Sequence, residues 1–294
     1  MRIVFIVGAG RSGSTVFAQR LERAIGATHV GEMRYVWGRG MAENHLCECG
    51  APFDQCPFWT AVTHKAFGDA TAEAGERFAR LTPGIDRMRY VVRNSAPALA
   101  QRAPGLAEWG DIVHSLYDAA AGVSGADVLI DSSKDPSYLF ALRATGRFTI
   151  DPVHLVRDPR GVAYSWTRSR LRPEIHWERR FMNVRTPRKS ATRWLSINAA
   201  AAYYRAREGR ATLVRYEDFC AAPDRVLRDV AERLGTASSG HGTHGHSLSG
   251  NPSRFETTAR PIASDESWRD ELPAADRRLV SAISAPLRWR YGYR

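Results

Sequence analysis

Apolar residues recur in short, strand-length runs at residues 3–7, 128–130, 152–156 and 211–214. Each run is followed by a stretch compatible with a helix. A further strand candidate near Thr28–Gly31 precedes Glu32. This alternation is the signature of an α/β fold, a central parallel sheet with helices on both faces, because each parallel crossover needs a connection of helix length. Long helices are expected at residues 194–207 and 274–284, the second opened by Pro273 and closed by Pro286. From about residue 33 to 126 helix formers dominate and no strand-like run occurs, which reads as a helical insertion beside the sheet. With no internal repeat, residues 1–294 read as a single domain.

Two stretches break the pattern. Residues 168–189 carry eight basic residues against Glu174 and Glu178, and read as a solvated surface helix or a lid over an anionic substrate. Residues 236–253, rich in Gly, Ser and His, lack a core pattern and read as part of a mobile loop spanning about 236–260. Its histidines, His241, His244 and His246, lie in a flexible tract that does not fix a coordination geometry.

Composition narrows the class. Hydrophobic residues at 44% and charged residues at 25% are globular values, which excludes disordered and collagen-like chains. No apolar run reaches the ~18 residues needed to span a bilayer, and the opening run Arg2-Ile3-Val4-Phe5-Ile6-Val7 is too short for the apolar region of a signal peptide. A cytoplasmic location without membrane insertion is therefore expected. The net charge of +11 favours an anionic partner. Nucleic acid is not expected, because zinc-finger spacing, an aromatic strand signature and a basic helix with heptads are all missing. Of the 42 basic residues only Lys65, Lys134 and Lys189 are lysines. Cys47, Cys49 and Cys56 cluster with a spacing that is not a standard zinc knuckle. A metal with His45 or Cys220 as fourth ligand, a packed turn of reduced thiols and a local redox bridge all remain open.

The sharpest chemical signal is the turn Gly8-Ala9-Gly10-Arg11-Ser12-Gly13-Ser14-Thr15, between the first strand and an amphipathic helix bearing Val16, Phe17, Leu21 and Ile25. Glycines let the backbone curl, free amides at the helix start point outward, and the helix dipole favours an anion there. The turn fits the nucleoside-triphosphate loop except that Ser14 replaces its lysine, which disfavours an ATPase or kinase. It also fits the dinucleotide fingerprint at Gly8, Gly10 and Gly13, with Glu32 about 20 residues on, which keeps an oxidoreductase as an alternative. A non-catalytic nucleotide- or nucleic-acid-binding protein is the other alternative.

The segment Arg11-Ser12-Gly13-Ser14-Thr15 resembles the loop of sulfotransferases that use 3′-phosphoadenosine 5′-phosphosulfate (PAPS). The resemblance implies a P-loop-like three-layer fold and gives Arg11, Ser12, Gly13, Ser14 and Thr15 the 5′-phosphosulfate. Downstream, His154-Leu155-Val156-Arg157-Asp158-Pro159-Arg160-Gly161-Val162-Ala163-Tyr164-Ser165 is similar to the family's 3′-phosphate motif, which implies Arg157 and Ser165 as its ligands. Tyr216, in Arg215-Tyr216-Glu217-Asp218, is implied near the adenine. Gly250-Asn251-Pro252-Ser253-Arg254 resembles a late loop folded over the nucleotide, with Asn251 a nucleotide contact and Arg254 a second 3′-phosphate partner. Val30-Gly31-Glu32-Met33-Arg34 is similar to a segment carrying a catalytic carboxylate, so Glu32 is the expected general base, with Asp135 and His154 as other candidates. Lys134, at a strand end, and Arg11 are expected to stabilise the leaving group. The co-substrate implied is PAPS, released as 3′-phosphoadenosine 5′-phosphate. No metal is required, since Arg and Lys supply the charge. The acceptor is expected to be a hydroxyl on a small molecule, a glycan or a lipid.

Overall fold

Five strands, β1 (Arg2–Val7), β2 (Thr28–Gly31), β3 (Val128–Lys134), β4 (Thr149–Val156) and β5 (Thr212–Arg215), form one parallel sheet in the order β2-β3-β1-β4-β5. The computed structural model describes residues 1–209, 211–236, 244–255 and 262–294. β1 lies between β3 and β4, so the chain leaves it to one side for β2 and later crosses to the other for β4. A crevice opens beyond the strand ends at such a reversal, where ligands of open α/β sheets bind.

Side-chain alternation along β1 shows that both sheet faces are covered. Ile3, Phe5 and Val7 join a cluster with Trp59, Trp109, Tyr117 and Tyr138, whereas Val4 and Ile6 join Phe17, Leu21, Leu227 and Val230 on the opposite face. The second face is covered by the helices Ser14–Ile25 and Pro223–Leu234. On the first face, helices Pro57–Phe67, Thr71–Ile85 and Leu106–Ser124 share their apolar cluster with the strands. The stretch expected beside the sheet thus contributes to its covering layer.

Three sequence expectations need correction. β3 continues past Ile130 through Asp131, Ser132 and Ser133 to Lys134. Its polar residues stay in the ladder because their groups are satisfied: the Tyr117 hydroxyl donates to Asp131 at 2.5 Å, and the Ser133 hydroxyl and amide donate to the same carboxyl at 2.6 and 2.8 Å. The last helix runs Ala274–Arg290 with Pro286 inside it. Burial of Val280, Ser284 and Arg288 along one face outweighs the local cost of proline, about 3 kcal/mol. Residues 168–186 are not helical; they fold back through a bridge between Leu171 and Phe181, and the following helix starts at Pro187. The stretch expected to be a mobile loop is described only at 236, 244–255 and beyond 261, and His241 lies outside the described residues. Among the described residues no helix is long and apolar enough to cross a membrane.

One buried acid gives a pH prediction. Glu22, on the covered face of helix Ser14–Ile25, accepts from the His29 amide at 3.0 Å, and burial pushes its carboxyl up to about 8. A carboxyl raised in the folded state binds protons the unfolded chain has already released, so it loses stability as pH rises from its unfolded value through about 8. The melting temperature of Glu22→Gln relative to the parent should therefore increase between pH 5 and pH 8. A difference that stays flat with pH would refute this.

Candidate active site

The turn after β1 opens helix Ser14–Ile25, whose first turn carries neither a side-chain cap nor an acidic residue. Gly13 precedes it in the left-handed conformation at φ +83°. A Cβ at Gly13 would lie 2.4 Å from the Tyr216 ring, so glycine is required on conformational and steric grounds. The Ser12 hydroxyl and the Arg11 Nε are buried with no hydrogen-bond partner among the described residues. Arg11 lies over the Trp166 ring at 4.9 Å. Burial, then Arg170 and Arg185, push its guanidinium down to about 10, a sign of concentrated positive charge. Gly13→Ala should therefore destabilise the fold, whereas an unchanged melting temperature would contradict this packing.

Strands β2 and β3 bring the next groups to the same crevice. Lys134 pairs with Val7 of β1 just after a shift in the register of the two strands, and its carbonyl accepts from the Gly8 amide at 3.0 Å, which ties it to the start of the turn. Its ammonium donates to the Glu32 carboxylate and to the Ser132 carbonyl at 2.9 Å. Arg39 approaches the other Glu32 oxygen at 3.4 Å. Glu32 is only 5% exposed, so two cations face a nearly buried carboxylate. Arg11 and Lys134 are both left-handed, at φ +72° and +68°, which costs non-glycine residues on the order of 1–3 kcal/mol. Strain at both expected cations is consistent with a site held in a fixed geometry.

One cavity is lined by Arg11, Gly13, Ser14, Thr15, Glu32, Lys134, Asp135 and Asn251. The late segment reaches it because Leu248 bridges to Gly31, and the Asn251 amide donates to Thr15 Oγ1 at 3.0 Å. Gly31 sits at φ +84° with the Leu248 backbone 2.1 Å from where a Cβ would stand. Of the other base candidates, Asp135 lines the same cavity and His154 does not. Asp135 caps helix Pro136–Ala144 and pairs with Arg34 at 2.6 Å. His154 is fully buried against Asn198 at 2.9 Å, and burial lowers it to about 4.

A second group of residues reaches the turn from the β4–β5 side. Arg157 donates to the Arg11 carbonyl at 3.1 Å and to the Asp265 carbonyl at 3.2 Å, and lies over the Tyr216 ring at 4.7 Å. Asp158 pairs with Arg160 at 2.6 Å, so the Arg157 guanidinium is not taken up by its neighbour. Ser165 is buried on the helix Pro159–Thr167. Arg254 stands apart from this group. Its three guanidinium nitrogens are buried with no hydrogen-bond partner among the described residues, and the carboxylates acting on it are Glu174, Glu32 and Glu48.

The cavity also uses residues that sequence reasoning missed: Tyr35, Arg39, Trp166, Met182, Arg185 and Arg193. Met182 and Arg185 come from the basic stretch 168–189. The three clustered cysteines meet His246, and neither His45 nor Cys220 joins them. His45 pairs with Glu43 at 2.8 Å.

A family profile described as sulfotransferase matches residues 4–239. No curated protein sequence matches the chain. Among solved structures, sulfotransferase STF9 from Mycobacterium avium aligns with TM-score 0.51 and 11% identity over 100% of this chain and 77% of that one. A sulfotransferase domain from the curacin biosynthetic pathway aligns with TM-score 0.50 and 17% identity over 96% of this chain and 97% of that one. At these identities the structural likeness speaks for the fold alone.

Proposed function

The chain belongs to the sulfotransferase family, and from that premise we propose that it transfers the sulfuryl group of PAPS to an acceptor hydroxyl by in-line displacement. The observation that carries this reading is the convergence of the partnerless donors of the Arg11–Thr15 turn with a Glu32–Lys134 pair in one crevice. Buried donors without partners fit a phosphosulfate, which brings only acceptor oxygens. PAPS supplies the activated sulfuryl group. The amides of the turn, Ser12, Ser14 and Thr15 orient its 5′ end, and Arg157 and Ser165 hold the 3′-phosphate beside Tyr216.

Glu32 accepts the proton of the acceptor hydroxyl. Lys134, already in contact with Glu32, and Arg11 stabilise the negative charge that grows on the bridging oxygen as the bond to sulfur breaks. Asn251 closes the turn through Thr15. Arg254 would reach the 3′-phosphate only by rearrangement of its segment, so bisphosphate binding should change hydrogen exchange at residues 246–255. Equal exchange with and without it would remove Arg254 from the site. The acceptor is a small-molecule, glycan or lipid hydroxyl, and the protein works in the cytoplasm.

Arg157→Ala should weaken binding of 3′-phosphoadenosine 5′-phosphate by on the order of 1.5–3 kcal/mol, the cost of a charged hydrogen bond. Calorimetric titration measures it, and unchanged affinity would sink the assignment. The function itself is tested by incubating the protein with labelled PAPS and a panel of sugar, lipid and phenolic hydroxyls. One sulfated product per bisphosphate released supports the reading. Hydride transfer to or from a nicotinamide dinucleotide, without sulfation, would replace it.

A further inference from the structure

The cluster formed by the sulfurs of Cys47, Cys49 and Cys56 and by His246 lies outside the proposed chemistry. The ligating atoms of these four residues all lie within 4.8 Å of one another. Cys49 Sγ is 3.7 Å from Cys56 Sγ, and His246 Nδ1 is 3.4 Å from Cys56 Sγ and 3.8 Å from Cys47 Sγ. A tetrahedral zinc ion with ordinary bond lengths separates two thiolate sulfurs by about 3.8 Å, and a sulfur from an imidazole nitrogen by about 3.5 Å. A disulfide would bring two sulfurs to about 2.05 Å, and all four cysteines are free.

We propose that Cys47, Cys49, Cys56 and His246 bind one structural zinc ion that clamps the late segment bearing Asn251 to the start of the helical insertion. Three soft thiolates and an imidazole in a closed tetrahedron select zinc over hard cations, and four protein ligands leave no open position for catalysis. The site is prepared by its surroundings. Gly50, left-handed at φ +87°, donates to the Cys47 carbonyl at 2.9 Å and turns the chain so that Cys49 can face Cys47. Phe58 stacks on the His246 ring at 5.3 Å, and Trp59 Nε1 donates to the His246 carbonyl at 2.9 Å, which fixes the imidazole from the helix that follows Cys56. The Glu48 amide donates to the Ser247 carbonyl at 3.1 Å, and Ser247 donates back to the Glu48 carboxylate, so the two segments are already paired on either side of the cluster.

Charge balance supports the same reading. Binding releases the three thiol protons, and zinc(II) with three thiolates and a neutral imidazole carries a net charge of −1. Arg254, on the same late segment as His246, is a buried guanidinium whose nitrogens have no hydrogen-bond partner among the described residues, and it supplies the opposite charge. The clamp is two residues from Leu248, which bridges to Gly31 next to Glu32. The ion would thus hold the late segment against the crevice without taking part in the reaction.

The experiment is elemental analysis of the full-length protein purified without chelator, together with cobalt(II) replacement. The expected results are about one zinc per chain and, with cobalt, the visible absorption of a tetrahedral thiolate complex. Because Cys49 is exposed, Cys49→Ser should fold while losing the cobalt bands, as should His246→Ala. Stripping zinc should speed hydrogen exchange at residues 244–255 in the absence of any nucleotide, a readout independent of the proposed activity. No bound metal with three freely alkylated thiols, a Cys49–Cys56 disulfide by mass spectrometry, or cobalt bands that survive in both variants would each overturn the proposal.

Discussion

Replacing Glu32 with glutamine is expected to lower kcat by about 10²–10⁴-fold, the usual cost of losing a general base. Affinity for 3′-phosphoadenosine 5′-phosphate should stay close to that of the parent, because Glu32 faces Lys134 and Arg39 and makes no contact with the Arg157 group. Glutamine keeps the shape and one acceptor oxygen but cannot take up the hydroxyl proton. An acceptor with a more acidic hydroxyl should recover part of the lost rate, since less proton transfer is then needed in the transition state. Asp135→Asn should retain turnover, because asparagine can still cap helix Pro136–Ala144, and His154→Ala should lose activity only as far as it loosens the core. Near-normal turnover in Glu32→Gln, together with loss in Asp135→Asn, would move the base to Asp135.

Lys134→Ala is expected to slow the chemical step by about 10²–10³-fold, the range for removing one donor aimed at developing charge. It differs from Glu32→Gln in one observable way: a more acidic acceptor should not rescue it, because the missing charge acts on the leaving phosphate. A leaving-group effect of this kind appears in single-turnover rates with bisphosphate affinity largely kept. The backbone at Lys134 is left-handed and pinned to Gly8, so alanine there inherits the strain without the ammonium. If Lys134→Ala turned over normally, Arg11 alone would have to carry the leaving group. If the same acidic acceptor rescued both variants, the roles of Glu32 and Lys134 would not be separable.

The sheet is legible in the chain because its central strands are buried on both faces and read as short apolar runs. The β1 turn was legible because anion binding at a helix start demands glycines and hydroxyls at fixed spacing. Glu32 and Lys134 are singled out by the family resemblance of the segments that carry them, each of which follows a strand candidate. Asp131 to Lys134 escaped the strand assignment because its polar side chains are satisfied by Tyr117 and Ser133, partners no local pattern reveals. Pro286 was read as a stop, since the packing that carries the helix past it is tertiary. Arg39 reaches the cavity from the short π-helix Val36–Ala42, Trp166 from a helix end, and Met182 and Arg185 from irregular chain, where local spacing carries no geometry. His246 lies 190 residues from Cys56 in sequence and was set aside with its Gly-rich surroundings; only the fold brings it to the cysteines.

The central claim is that the crevice at the end of β1 is a site for a 3′-phosphorylated adenosine 5′-phosphate and not for a dinucleotide. Calorimetric titration of the protein with 3′-phosphoadenosine 5′-phosphate, and separately with NAD, tests it most directly. The account predicts saturable 1:1 binding of the bisphosphate, weakened by Arg157→Ala, and no heat from NAD beyond dilution. Binding of NAD with none of the bisphosphate would contradict it.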